Sequence, residues 1–280
     1  MSYRTILVHV DNSTSAAARI KVAAKLAESA DAHLVGTAAT GIPRYMYSGS
    51  PFDMSGNLVA EYLRFASKHA DEALARFSEL TAHLGVRSVE ARRCDEDEYQ
   101  GLAMQARYAD LLVIGQANPN DHGEGGLLLR LPEQLVLNCG RPVLIVPYAG
   151  DFLTVGQKPL VAWNGSVEAA RAVTAALPLL RGARQVTVAL FNATAGGKAH
   201  GEEPGADIAQ YLARHDVQVD VQSYPAPADA GDAMLSLAAS TGADLLVMGA
   251  YGHTRLRESI LGGATRTILS SMTLPVLMVH

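Results

Sequence analysis

Ala243-Asp244-Leu245-Leu246-Val247-Met248-Gly249-Ala250-Tyr251-Gly252, nine further residues, then Gly262-Gly263-Ala264-Thr265: this stretch decides how the chain folds. Residues 243–248 form an apolar run with the character of a buried strand. The glycines that follow let backbone pass close to a ligand and adopt positive φ without a Cβ clash. The second glycine pair opens an expected helix from Ala264 to Ser271, whose first N–H groups lack intrahelical partners. Free N–H groups, the helix dipole and absent side chains make an anion cradle. The reading is a phosphate-binding turn at the carboxyl edge of a parallel sheet, with Pro275–Val279 as a closing strand.

Outward from that turn, the chain repeats itself. Arg4-Thr-Ile-Leu-Val-His-Val-Asp11-Asn-Ser13 opens one copy and Lys158-Pro-Leu-Val-Ala-Trp-Asn164-Gly-Ser166 the other. Each is a short apolar strand that ends in a polar residue, with a serine two positions later placed to cap a helix. Alanine-rich helices are expected over Ala16–Ser29 and Val167–Leu177, and second strands over Ala32–Thr37 and Gln185–Leu190. Ala109–Gly115 echoes Ala243–Gly249, and Arg141–Val146 echoes Leu274–Val279, in collinear order. Strands alternating with helices, and reading as continuous Val/Ile/Leu runs, argue for parallel sheets covered on both faces. The expected fold is α/β: two tandem copies of a doubly wound open sheet, five mainly parallel strands in each. Residues 1–149 form the first copy, 150–157 a linker and 158–280 the second.

The glycine spacing and the strands around it resemble the universal stress protein family. The resemblance covers nearly the whole chain as a tandem fusion, and its motif is concentrated in the second copy. It implies a stress-response regulatory protein that grips the ribose and phosphates of ATP or AMP, with Mg2+ as an accompanying ion. The family pattern is Gly, two residues, Gly, nine residues, Gly, then a small hydroxyl residue. Gly249, Gly252 and Gly262 match; Gly263 stands where the hydroxyl belongs, and Thr265 is the nearest substitute. An aspartate at the end of the first strand contacts adenine in the family. That position is Asp11 in the first copy and Asn164 in the second. An amide still offers a donor and an acceptor to adenine. Phe191, where the family's backbone touches adenine, either stacks on the base or packs in the core.

The first copy departs from the pattern. After Gly115 comes Gln-Ala-Asn118, and Leu127-Leu-Leu-Arg130 puts bulk where the glycines belong. A leucine or arginine there is expected to fill the phosphate volume, so Asp11 and Gly115 mark a degenerate first site. In the second copy, Ala264 and Thr265 line the helix start, and Arg255 is a candidate for charge-assisted contact with phosphate. His253, Arg257 and Arg266 flank the same turn. The long loop Ala193–Gly205, with Lys198 and His200, reads either as a cover for the nucleotide or as a plain surface connection. Trp163 is expected in the core, on the strand face opposite Asn164. His9, two residues before Asp11, reads as a satisfied buried histidine or a relay to Asp11.

Composition narrows the classes. A net charge of -5 with no basic cluster gives no reason to expect nucleic acid. No apolar stretch approaches the roughly 20 residues of a membrane span. The opening residues carry no signal-peptide pattern, and two isolated cysteines suggest neither a disulfide framework nor a zinc site. The expectation is a cytoplasmic, soluble chain with no membrane partner. No catalytic constellation and no metal-ligand spacing stand out. Two alternatives to the regulatory nucleotide binder stay open: an interaction or scaffold protein whose sites have decayed, and a slow ATP hydrolase. Phosphoryl transfer needs a metal ion and positioned charge, and Glu258 is the one carboxylate near Gly262. Family members pair through their last strands, so residues 142–146 and 275–279 are expected to make an internal pseudo-dimer; a further homodimer is open.

Overall fold

The computed structural model describes residues 2–41, 56–119, 130–191, 203–225, 229–251 and 263–280. The polypeptide divides into two compact units, Tyr3–Arg141 and Pro142–His280. The first contains β1 (Thr5–His9), α1 (Ala16–Ala30), β2 (His33–Ala39), α2 (Gly56–His83), β3 (Val89–Cys94), α3 (Glu98–Ala106), β4 (Leu111–Gly115) and α4 (Leu131–Asn138). Its strand order is β3-β2-β1-β4, parallel throughout, with Ile6 opposite both Leu34 and Leu111. β1 and β4 are the strands that read as unbroken apolar runs. Ile6, Leu34, Leu111, Leu112 and Ile114 are fully buried, as two covered faces require.

The second unit contains β5 (Val143–Val146), β6 (Pro159–Trp163), α5 (Val167–Leu180), β7 (Val186–Phe191), α6 (Ala206–Ala213), β8 (Val219–Tyr224), α7 (Ala230–Thr241), β9 (Leu245–Gly249), α8 (Gly263–Ser271) and β10 (Val276–Val279). Its order is β5-β10-β9-β6-β7-β8. All neighbours are parallel except β5 and β10, which run antiparallel with Leu144 opposite Leu277. The two segments expected to pair as last strands therefore do so, and β5 belongs to the same compact unit as β10.

The repeated Ala-Asp-Leu-Leu-Val sequence has a physical cause. The Asp110 carboxylate accepts the N–H groups of Arg4 and Thr5, at 2.7 and 3.0 Å. Asp244 accepts those of Gly156, Gln157 and Lys158, at 2.8–3.1 Å. Each aspartate gathers backbone donors at the entry to the first strand of its copy and ties that strand to its neighbour. In both units the order reverses beside this first strand, since β1 lies between β2 and β4 and β6 between β7 and β9. A crevice opens outside the carboxyl ends of strands at such a switch point.

Candidate functional site

In the second unit β6 ends at Trp163, and the next residues turn sharply. The Asn164 side-chain oxygen accepts the Ser166 N–H at 3.1 Å, while Gly165 takes φ 71°. Ser166 then caps α5, its hydroxyl accepting the Ala169 N–H at 3.1 Å. This matches the cap read from sequence. β9 enters beside it, and Gly249 is required for packing. A Cβ at Gly249 would lie 2.5 Å from the Ala169 nitrogen and 2.6 Å from the Glu168 carbonyl carbon. The glycine thus brings the strand end against the start of α5, besides lining the crevice.

The crevice itself has a volume of about 300 Å³. Its apolar wall is Trp163, Phe191, Met234 and Met248; its other side is Tyr251 with Gly263, Ala264 and Thr265 at the start of α8. Asn164 lies on its rim. Trp163 corrects the sequence expectation: the ring is half-buried and lines the crevice instead of packing in the core. Phe191 also lines it, with its ring stacked on Tyr224 at 5.5 Å and 27°. Thr265 is buried, and its hydroxyl accepts the Tyr251 N–H at 3.4 Å. It therefore braces the turn in which Tyr251 holds φ 61°. A Cβ at Gly263 would meet nothing within 4 Å among the described residues. The missing family hydroxyl leaves open space at the helix start. Helices α7 and α8 approach closely beneath, since a Cβ at Gly231 would lie 2.7 Å from Thr267 and 2.9 Å from the Ala264 carbonyl oxygen. Asp229 caps α7 and accepts the Thr267 hydroxyl at 3.1 Å, which joins the two helices. Gly252, Arg255 and Gly262 lie outside the described residues, as do His253, Arg257, Glu258, Lys198 and His200.

The first unit uses the same place differently. Arg19, on α1, is 3% exposed. Its guanidinium pairs with Asp11 at 2.8 Å and donates through Nε to the His9 carbonyl at 2.7 Å. A Cβ at Gly115 would lie 2.4 Å from the same guanidinium. Between Asp11, Arg19, Gly115 and Pro132 only about 40 Å³ remains. Sequence reading assigned the filling role to Leu127–Arg130. Residues 127–129 lie outside the described residues, and the Arg130 side chain stands on the surface beside Glu133. The arginine that fills the site is Arg19. The signal was available: position 19 falls in the apolar stripe of α1 with Ala16, Ala23 and Ala27, and a charge inside such a stripe needs a buried partner.

Asp11 is consequently committed. It accepts the Ser13 hydroxyl at 2.6 Å and the Ser13 N–H at 3.0 Å, besides pairing with Arg19. Burial opposes its ionisation, yet the Arg19 guanidinium and the Ser13 bonds hold its carboxyl well below the usual carboxylate range. Ser13 is therefore not the helix cap expected from sequence; Ser15 holds that position and makes no side-chain cap bond. His9 is buried, and its Nδ1 lies 3.8 Å from Asp11, too far for a hydrogen bond. Burial lowers its pKa to about 4, the nearby Asp11 charge offsetting part of that and Arg19 adding to it. The ring is a neutral buried histidine, not a relay.

Among the described residues no group of three His, Cys, Asp or Glu is placed to hold a metal, and no helix is long and apolar enough to cross a membrane.

Doubly wound sheets with a crevice at the strand-order reversal define an open-sheet α/β protein. A sequence profile of the universal stress protein family matches residues 2–147 and 157–280, and the chain belongs to that family. Universal stress protein Slr1230 of Synechocystis sp. is 24% identical over 173 residues, which span 60% of this chain and 57% of that protein. A universal stress protein from Archaeoglobus fulgidus superposes with TM-score 0.73 at 16% identity, over 98% of this chain and 95% of the other. A putative universal stress protein from Pseudomonas aeruginosa does so with TM-score 0.60 at 19% identity, over 99% and 93%. The two family segments agree with the tandem repeat read from sequence.

Proposed function

We propose that the second unit binds an adenine nucleotide in its crevice and that this binding is the regulatory signal of the protein. The observation that carries the proposal is the contrast within the site itself: an aromatic and thioether wall faces the start of a helix. Trp163, Phe191, Met234 and Met248 offer the flat apolar surface a base requires. The start of α8, with no side chain at Gly263, suits a phosphate, since helix N-termini present N–H groups and a favourable dipole. Asn164 on the rim is placed to meet the polar edge of the base. A volume of about 300 Å³ is within the range of ligand sites and holds a base with part of its ribose phosphate. No ionisable carboxylate lines the crevice among the described residues, so the described part of the site supports binding more than hydrolysis.

Calorimetric titration of AMP and ATP, each with and without magnesium, tests this on the full chain and on Gly263→Leu. A Cβ there meets nothing within 4 Å among the described residues, and Gly263 lines the crevice, so the leucine is expected to fill ligand volume; circular dichroism of the variant checks that it folds. Saturable binding by wild type and at least a tenfold loss in the variant support the proposal. Equal binding by both, or none by wild type, rejects it.

A further inference from the structure

The crevice of the second unit is rich in hydrogen-bond donors. Four side-chain oxygens stand on its described lining, those of Asn164, Ser166, Tyr251 and Thr265. Three of them already accept from the protein itself. The Asn164 amide oxygen takes the Ser166 N–H at 3.1 Å, the Ser166 hydroxyl takes the Ala169 N–H at 3.1 Å, and the Thr265 hydroxyl takes the Tyr251 N–H at 3.4 Å. What these groups keep for a ligand is protons: two amide N–H groups on Asn164 and one O–H on each hydroxyl. The indole N–H of Trp163 only donates, and the thioethers of Met234 and Met248 accept weakly. No carboxylate lines the crevice among the described residues.

The matching turn in the first unit shows what Asn164 changes. Asp11 Oδ1 accepts the Ser13 N–H at 3.0 Å, as Asn164 Oδ1 accepts the Ser166 N–H at 3.1 Å. A backbone N–H only donates, so the oxygen of Asn164 holds the turn and its nitrogen is the outer atom. Where Asp11 has a second oxygen, an acceptor, Asn164 therefore has a donor. An acceptor at this place suits the exocyclic amino group of adenine, and a donor suits a carbonyl. Along the same edge adenine offers an N6 donor beside the N7 acceptor, whereas a 6-oxopurine offers O6 and N7, two acceptors.

On the reading of the crevice as a nucleotide site, we propose that it takes 6-oxopurine nucleotides at least as tightly as adenine nucleotides, with the Asn164 amide nitrogen donating to the O6 carbonyl. The wall of Trp163 and Phe191 stacks on either purine and is indifferent to the group at position 6. AMP meets the amide only through a ring nitrogen. Asn164 is then the residue that sets which purine the second unit prefers.

Calorimetric competition between inosine monophosphate (IMP) and AMP on the full chain tests this, with Asn164→Asp as the variant. The aspartate keeps the size of the side chain and the oxygen that holds the turn, and replaces the donor by an acceptor. Repulsion between its charge and a phosphate acts on both nucleotides, so the ratio of their affinities is the quantity read. Wild type is expected to bind IMP as tightly as AMP or more tightly, and Asn164→Asp to move the ratio toward AMP by roughly tenfold. Gly263→Leu is expected to weaken both. Preference of wild type for AMP, a ratio that Asn164→Asp leaves unchanged, or IMP binding that Gly263→Leu leaves unchanged would overturn the proposal for 6-oxopurines and leave the adenine-nucleotide site standing. Absence of binding by either nucleotide would overturn both.

Discussion

At the end of its first strand each half of this chain places a short polar residue, and the two halves use it differently. Asp11 closes on Arg19 and Ser13, so its carboxylate is spent inside the protein. Among the described residues Asn164 makes one bond, accepting the Ser166 N–H, and leaves the rest of its amide on the rim of a crevice. A charge at this position demands a partner once buried, and an arginine from the neighbouring helix meets the demand by filling the ligand volume. A neutral amide makes no such demand, and the volume stays open. One substitution of charge type, with its compensating arginine, leaves about 40 Å³ on the Gly115 side of Asp11, where Asn164 borders a crevice of about 300 Å³ that reaches Gly249 and the start of α8.

The largest expected effect comes from breaking the closed side. Arg19→Ala leaves Asp11 buried beside a neutral histidine, and loss of one partner of a buried ion pair costs about 3–5 kcal/mol. Denaturant unfolding should show the first unit destabilised by that amount, and Arg19→Leu combined with Asp11→Asn should recover most of it. If Arg19→Ala is neutral, the ion pair does not hold the plug.

Acid should separate the units next. The folded pKa of His9, about 4, lies below its ordinary value, so the unfolded chain takes the proton first. Stability should therefore fall as pH drops from about 6.5 to about 4, by on the order of 3 kcal/mol. Asp11, whose folded pKa is depressed, contributes above an ordinary carboxylate pKa of about 4, and that contribution is lost at lower pH. His9→Leu should flatten the slope above pH ~4 and leave the acid limb below it. An unchanged slope would show that another group carries it.

Two smaller comparisons sharpen the account of the open side. Gly249→Ala forces a Cβ against the backbone of α5 and should cost about 1–3 kcal/mol, whereas Gly263→Ala should stay within about 0.5 kcal/mol. Thermal unfolding distinguishes them, and equal effects would remove the packing role of Gly249. Ser166→Ala removes a cap bond worth about 1 kcal/mol, while Ser15→Ala removes none and should be silent.

Sequence reading reached the repeat, the parallel strands and the position of the crevice, because buried strands are unbroken apolar runs and the glycines follow one of them. It was least informative at β3 and β8. These edge strands, Val-Glu-Ala-Arg-Arg-Cys and Val-Asp-Val-Gln-Ser-Tyr, are partly exposed and carry no such run. In the sites, strand alternation misplaced Trp163, since the chain turns directly after it and the ring follows the turn into the crevice. The stripe of α1 signalled a buried charge at Arg19, but its partner lies eight positions away across a helix start, and no local pattern names that partner. Gly249 was legible as a glycine needed at a strand end. That its first contact is the backbone of α5 became visible only with helix and strand together.

The central claim is that the second unit takes the nucleotide and that Arg19 closes the corresponding phosphate side of the first. Photolabelling the full chain with 8-azido-AMP, followed by mapping of the labelled peptides, tests it directly. Label confined to peptides of Pro142–His280, and removed by excess AMP, is the predicted result. Competable label in peptides of Tyr3–Arg141 would contradict it.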